Sequence, residues 1–417
     1  MPQSNQVTDS ARRESYWSLA LTSLRYRNFR LLWLGSVTEH MGEFMQAAAI
    51  LWIVNEMTHS ALMLTIVGSS RFIPMLFMPV VGGVVADRVN RRSLLMVSLL
   101  GAALLSIVLT LLVVAGVVAL WHLIVISVLG GALTSFNHPA RHSIVPNLVK
   151  REHLLNAISL DAISVQASRL IGMLIGGYLI GFFGVSPIFA LRAFGCLLAI
   201  FWLLWARIPA TPAITRTRSP LHNLTEGLHY LRSNTVILSL MVLYFVPWVT
   251  TNTMVTFMPV FAQDILRIGA IGYGYLQAAP GLGAIISLIV LTLLTYYKRK
   301  SVLLIGAGII MGIGLISFSA SLWLSLSLFL LVVIGGMQTI FMAVSTTLIQ
   351  SYVPDELRGR VMSWRELTMG LGPTSSILFG AIAQYTGVPF SLGLLGGISL
   401  IIALSLIFFL PRFRSIE

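Results

Sequence analysis

Apolar runs of membrane-crossing length constrain this chain more than any other feature. Twelve of them occur, at approximately 29–54, 62–85, 93–116, 121–144, 156–183, 187–206, 236–262, 271–296, 302–320, 323–350, 363–385 and 388–411. A helix needs ~20 apolar residues to cross a bilayer. Lipid offers no partner to backbone N–H and C=O groups, so a spanning segment is a helix or part of a closed barrel. These runs lack the two-residue alternation of barrel strands. The expected fold is an all-α integral membrane protein with twelve transmembrane helices. Only 10% of the 417 residues are charged, against roughly 25% in soluble chains, which excludes an ordinary soluble enzyme.

The basic residues set the expected orientation. With the N-terminus in the cytoplasm, 22 of the 27 Lys and Arg residues fall in cytoplasmic segments, Arg141 among them. Arg267 falls in an outer loop, and Arg71, Arg169, Arg192 and Arg365 lie within spans. Bias of this kind places both termini in the cytoplasm. It also accounts for the net charge of +13 without a nucleic-acid partner. The first 28 residues lack the apolar core of a cleavable signal peptide, so the first span is expected to insert itself. Cys196 is the sole cysteine, which excludes an internal disulfide and a cysteine-based metal cluster.

The chain divides into a cytoplasmic segment 1–28, a six-span half 29–206, a connection 207–235, a second half 236–411 and a tail 412–417. Within the connection, Leu221 to Leu231 has apolar residues at helical spacing and reads as an amphipathic helix on the cytoplasmic surface. The halves repeat each other. Arg91-Arg92-Ser93 matches Arg299-Lys300-Ser301, and Val145-Pro146-Asn147 matches Val353-Pro354-Asp355, both 208 residues later. Gly130-Gly131-x-x-Thr134-x-Phe136 matches Gly335-Gly336-x-x-Thr339-x-Phe341 at an offset of 205. Three matches in order argue for a duplicated six-span unit, an architecture of transporters that rock about a central site.

Between spans 2 and 3 lies Gly83-x-x-x-Asp87-Arg88-x-Asn90-Arg91-Arg92. With this motif the chain resembles the major facilitator superfamily over its whole length. Asn90 stands where the family pattern has a second glycine, a mild change because Asn tolerates a left-handed turn. The resemblance implies that Asp87 braces spans 2 and 11 while the protein faces outward. Tyr26-Arg27-Asn28-Phe29-Arg30, Pro139-Ala140-Arg141 and the run from Val353 to Val361 are similar to the branch of macrolide-efflux and enterobactin-export proteins. Gly172-Met173-x-x-Gly176-Gly177 resembles an antiporter motif with Met173 in place of its proline. The bland reading of those glycines is close helix approach.

Ionisable residues at mid-membrane depth are costly and read as functional. Glu39, Glu43 and Gln46 share one face of span 1, with His40 off that face. Two acids one turn apart can exchange a proton with a gradient or bind a cation. Arg71 in span 2 is a candidate partner for Glu39 or Glu43, or a contact for an anionic substrate group. Arg169 in span 5 faces a cavity or a partner, because a lone arginine facing lipid costs too much. Arg192 lies near the outer edge of span 6, where it can snorkel outward. Asp161 and Arg365-Glu366 sit near cytoplasmic ends and read as gate salt bridges, together with the Asp87–Arg92 cluster. Tyr244, Trp248 and Asn252 of span 7, with Tyr275 and Gln277 of span 8, suit a roomy amphiphile pocket or ordinary packing.

No Gly-x-x-x-x-Gly-Lys-Ser/Thr phosphate loop occurs, so an ion gradient is the expected energy source. The leading reading is a monomeric, proton-coupled exporter of a drug-like or amphiphilic compound in a bacterial cytoplasmic membrane, with no cofactor and no metal. A dedicated carrier for one natural product, such as a siderophore or lysophospholipid, is the alternative. In another class stands a non-transporting receptor that keeps the transporter fold. Nothing marks a catalytic site.

Overall fold

A computed structural model describes residues 21–77, 90–208, 220–293 and 300–409. The helices, in chain order, begin with α1 (Arg27–Thr58), α2 (Ala61–Ser70), α3 (Arg91–Val114), α4 (Leu120–Ile144), α5 (Leu154–Phe183) and α6 (Ser186–Trp205). Next come α7 (Pro220–Ser233), α8 (Thr235–Val260), α9 (Gly269–Leu293) and α10 (Lys300–Ser319). The chain ends with α11 (Leu324–Tyr352), α12 (Asp355–Thr386) and α13 (Val388–Phe409). A short helical segment, 73–77, continues α2 after a turn at Arg71 and Phe72. No strand occurs among the described residues.

Nine helices among the described residues are long and apolar enough to cross a membrane: α3–α6, α8–α11 and α13. Helices α1 and α12 are each 32 residues long, so length does not exclude them. Both carry charged side chains in their interiors, Glu39 and Glu43 in α1 and Arg365 and Glu366 in α12. Those charges lower their mean hydropathy. Local chemistry fixes several ends. Ser60 caps α2 by accepting from Met63 N at 3.3 Å. His59 closes α1 in the left-handed region at φ 44°.

Helix α1 packs against α5 and α6, α3 against α4 and α6, and α8 against α11 and α12. Helix α10 lies between α11 and α13, and α9 lies against α11. Contacts across the duplication run mainly through α5 with α9 and α2 with α12. The repeated Gly-Gly motifs take equivalent places. A Cβ on Gly131 would strike the backbone of Arg71 following α2, and one on its counterpart Gly336 would stand 2.6 Å from Ser287 Oγ and 3.2 Å from the Gly283 carbonyl oxygen in α9. Span 4 thus lies on span 2 as span 10 lies on span 8.

Between spans 6 and 7, α7 covers the stretch read as amphipathic. It packs on α12, where Arg360 pairs with Glu226. Gly227 admits the Arg360 carbonyl and the Trp364 ring, each 3.0 Å from where a Cβ would stand. Leu231 is buried in an apolar cluster with Ile237, Leu304 and Val361. This helix is docked on the bundle rather than laid against lipid alone.

Candidate functional site

A cavity of ≈ 1340 Å³ lies between the two sets of helices. It extends to Asn90 and Arg91 at the start of α3, to His142 and Ser143 at the end of α4, and to Ser363 near the start of α12. These positions mark the arginine-rich end of the bundle. At the opposite end the sets meet. Asn55 Nδ2 donates to Gln263 Oε1 at 2.5 Å, and Ser60 Oγ donates to Gln384 Oε1 at 2.7 Å. Tyr273 donates to the Ala48 carbonyl at 3.0 Å. Ser69 Oγ lies 2.9 Å from Ser376 Oγ and 2.6 Å from the Pro373 carbonyl. Gly177 of α5 and Gly274 of α9 touch backbone to backbone, since a Cβ on Gly177 would stand 2.6 Å from Gly274 Cα.

One wall of the cavity is charged. Helix α1 presents Glu39, His40 and Glu43 to a cluster drawn from α4 and α6. Glu39 is 5% exposed and pairs with Arg141, which is equally buried. Asn137 Nδ2 donates to the other Glu39 oxygen at 3.1 Å. Arg192 donates to the Glu39 backbone carbonyl. Arg141 also donates to Ser36 and lies 3.4 Å from the His40 ring. The His40 and His138 rings are 5.6 Å apart. Glu43 faces Arg71, with Nη2 3.3 Å from Oε1. Gln46 accepts from Ser106 Oγ at 2.8 Å.

Physical reasons underlie this order. An unpaired buried carboxylate costs several kcal/mol, and a paired one keeps its charge at much lower cost. Asn137, His138 and Arg141 lie at i, i+1 and i+4 on α4, so 137 and 141 share the face turned to α1. Gly42 leaves room for Arg192, whose Cδ lies 2.9 Å from the place of a Gly42 Cβ.

Several expected roles change. Arg192 does not snorkel outward; it turns in and is 5% exposed, because a backbone carbonyl and two glutamates lie within the bundle. Arg141 is no loop residue and belongs to the buried cluster. His40 stands among the charges, on the same helical turn as Glu39 and Glu43. Asn90 has φ −59°, not a left-handed value, and caps α3 by accepting from Arg92 N at 2.9 Å. A capping side chain needs that extended entry to the helix. Arg91 donates to the Ser143 carbonyl, and Arg92 to the carbonyls of Leu203 and Leu204. Gly83, Asp87 and Arg88 lie outside the described residues.

The residues expected at gate salt bridges pair within their own sets of helices. Asp161 lies 3.9 Å from His142 on its own side, and Arg365 pairs with its neighbour Glu366 at 3.1 Å. Among the described residues no ion pair joins the two halves at this end, because the cavity mouth holds them apart. Of the pocket candidates, Trp248, Asn252 and Gln277 line the cavity, as do Arg71 and Arg169. Asn252 donates to Ser376 Oγ at 3.1 Å, and Gln277 donates to Tyr273 Oη at 2.8 Å. Tyr244 and Tyr275 do not line it. Tyr244 is buried with the Arg365 guanidinium 5.4 Å from its ring, and Tyr275 meets Tyr178 Oη at 2.5 Å.

His40, Glu43 and His138 bring ligand atoms within 4.8 Å of one another, the one such His/Cys/Asp/Glu group among the described residues. Arg71 and Arg141 lie at the same spot, so a divalent cation there would face two guanidinium groups. The donors act instead as a polar network with those arginines.

A helical bundle around a large cavity that reaches its arginine-rich end, lined by ionisable side chains from both sets of helices, has the architecture of a membrane transporter. The chain belongs to the transmembrane secretion effector family of the major facilitator superfamily, whose family model matches residues 18–417. It is 24% identical over 379 residues to macrolide efflux protein A of Streptococcus pyogenes, covering 87% of this chain and 92% of that one. It is 26% identical over 353 residues to the enterobactin exporter EntS of Escherichia coli, covering 83% and 82%. Both relatives are efflux transporters of the same superfamily. In fold the chain is similar to a bacterial homologue of the lysosomal transporter Spinster in an inward-facing, unoccupied conformation. That TM-score is 0.71 at 15% identity, covering 94% of this chain and 98% of that one. For the POT family transporter PepTSo the TM-score is 0.76 at 11% identity, covering 94% and 99%.

Proposed function

We propose that this protein is a secondary active transporter that exports an amphiphilic small molecule in exchange for protons, by rocker-switch alternating access. In this reading the chain crosses a bacterial cytoplasmic membrane twelve times and acts as a monomer. Residues 29–206 and 236–411 form the two six-helix halves. The connection 207–235, the segment 1–28 and the tail 412–417 lie in the cytoplasm. Charged α1 and α12 are crossings whose polar faces turn to the cavity. The one-ended cavity between the halves carries the proposal. Its open end bears the arginines, and the positive-inside rule puts that end in the cytoplasm. The state described is then inward-facing, ready to load from the cell.

The two glutamates divide the work. Glu39 is an anchor, held by Arg141 and Asn137 away from water. Glu43 is the exchangeable site. It lines the cavity, and its partner Arg71 keeps 32% of its side chain exposed. A proton arriving at Glu43 cancels its charge and frees Arg71, which alters the balance of charge that faces the substrate. Differential contacts of this kind are what a ligand or proton needs to shift a two-state equilibrium.

The test is transport in proteoliposomes with an imposed pH gradient, using a panel of fluorescent amphiphiles. Glu43→Gln is expected to abolish uphill movement while leaving downhill exchange. Undiminished proton-driven transport in Glu39→Gln, Glu43→Gln and the double variant overturns the coupling role.

A further inference from the structure

We infer that the cavity contains a subsite for the oxyanion head of an amphiphilic organic anion, built around Arg169 of α5. The inference rests on the transport reading above and names the substrate class. Three arginines of the central region have carboxylates: Arg71 has Glu43, Arg141 has Glu39 and Arg365 has Glu366. Arg192 donates to a carbonyl beside Glu39. Arg169 differs from all of them. It lines the cavity, it has no carboxylate among the described residues, and its buried Nε meets no acceptor. The neighbouring charge acting on it is Arg71, of the same sign.

A guanidinium at this depth without an anion is costly, so its counter-charge is best supplied by the cargo. Arg71, which also lines the cavity and keeps 32% of its side chain exposed, adds a second positive charge to the same cavity. The planar fork of an arginine binds an oxyanion head through two parallel hydrogen bonds. Around these groups Phe44, Phe72, Met75, Met173, Val255 and Met342 form an apolar lining for the rest of the molecule. Methionine adapts to varied shapes, so the head is specified more tightly than the body.

The experiment is equilibrium binding to purified full-length protein in neutral detergent, free of any proton gradient. The probes are pyrenebutyrate, pyrenebutanol and pyrenebutyl-trimethylammonium, which share a body and differ in charge. Wild type is expected to bind the anion at least about tenfold more tightly than the alcohol, and the cation least. Arg169→Gln should erase that preference without weakening the alcohol, and Arg169→Lys should keep part of it. Competition by oleoyl-lysophosphatidic acid or by octanoate tells whether a lipid or a soluble acid is the better occupant of the same subsite. Equal binding of the three probes by wild type overturns the inference, as does an unchanged preference in Arg169→Gln. Monodispersity and unfolding temperature check that the variants fold. Since binding needs no coupling, loss of proton-driven transport together with an intact anion preference would count against the transport proposal alone.

Discussion

The backbone contact between Gly177 and Gly274 allows the sealed end to be tested by a single methyl-sized intrusion. A Cβ at 177 would stand 2.6 Å from Gly274 Cα and 3.0 Å from the Ala270 carbonyl oxygen. Carbon atoms pack best at about 3.5–4.0 Å, so α5 and α9 must part by roughly 1 Å. Both partners are backbone and cannot rotate away. Overpacking of this kind costs about 1–3 kcal/mol, and Gly177→Val adds bulk beyond Ala. The cost falls on the state in which these ends meet, so it favours the opposite state by about 5- to 150-fold. Spin labels at Met57→Cys and Tyr385→Cys report the outcome. Both positions are exposed, at 44% and 91%, and lie at the sealed end on opposite halves. Native Cys196 is buried and does not compete for label. In Gly177→Val the label-to-label distance distribution is expected to move to longer values than in wild type. A folded Gly177→Val protein with an unchanged distribution would refute the claim that this contact belongs to one conformational state.

Other consequences follow from the same geometry. Glu39→Gln leaves Arg141 buried without a counter-charge and should cost about 3 kcal/mol. Thermal unfolding in detergent should show Glu39→Gln/Arg141→Gln to be more stable than the single variant, and no such rescue would mean that the pair is not coupled. Gly227→Val pushes into the Arg360 carbonyl and the Trp364 ring. Faster hydrogen exchange over 220–233 is the expected reading, and a larger effect from Glu226→Gln would contradict it, since partly exposed ion pairs are worth less than about 1 kcal/mol. Asn55→Ala removes one link of the sealed end. It should raise labelling at that end only a few-fold, in line with one net hydrogen bond of about 1 kcal/mol.

The helices were legible because lipid allows few alternatives to them, and because apolar runs and arginine positions are properties of single segments. Pairings were harder. Whether Glu39 meets Arg71 or Arg141 depends on how α1 is rotated against α2 and α4, and no local pattern encodes that rotation. Arg192 was misjudged because depth along a helix says nothing about the side it faces. The signal available was Gly42, whose missing side chain makes room for Arg192. Arg141 counts with the cytoplasmic basic residues in the sequence, yet it lies within α4, which runs to Ile144, and pairs with Glu39. His138 was overlooked beside the more conspicuous acids. For Asn90 the residue type was informative but not the conformation, since the same side chain serves a left-handed turn or a helix cap.

The two halves differ in a way that suits a cycle of opening and closing. The N-terminal half pairs its glutamates internally, Glu39 with Arg141 and Glu43 with Arg71, and among the described residues leaves Arg169 in the cavity without a carboxylate. On the C-terminal side α8 and α9 offer neutral groups, Trp248, Thr251, Asn252 and Gln277. Between the halves, the sealed end is joined by neutral hydrogen bonds at Asn55–Gln263, Ser60–Gln384 and Ser69–Ser376. Each is worth about 0.5–1.5 kcal/mol net, so three together resist opening by a few kcal/mol. A buried ion pair in the same place would have to be stripped apart in every cycle, and an uncompensated charge there costs about 3–5 kcal/mol. In the proposed exchange cycle, keeping ionic pairs within one half and neutral bonds between halves leaves the seal weak enough for cargo and proton binding to reverse. It also confines protonation to a network that does not itself have to break when the halves rock.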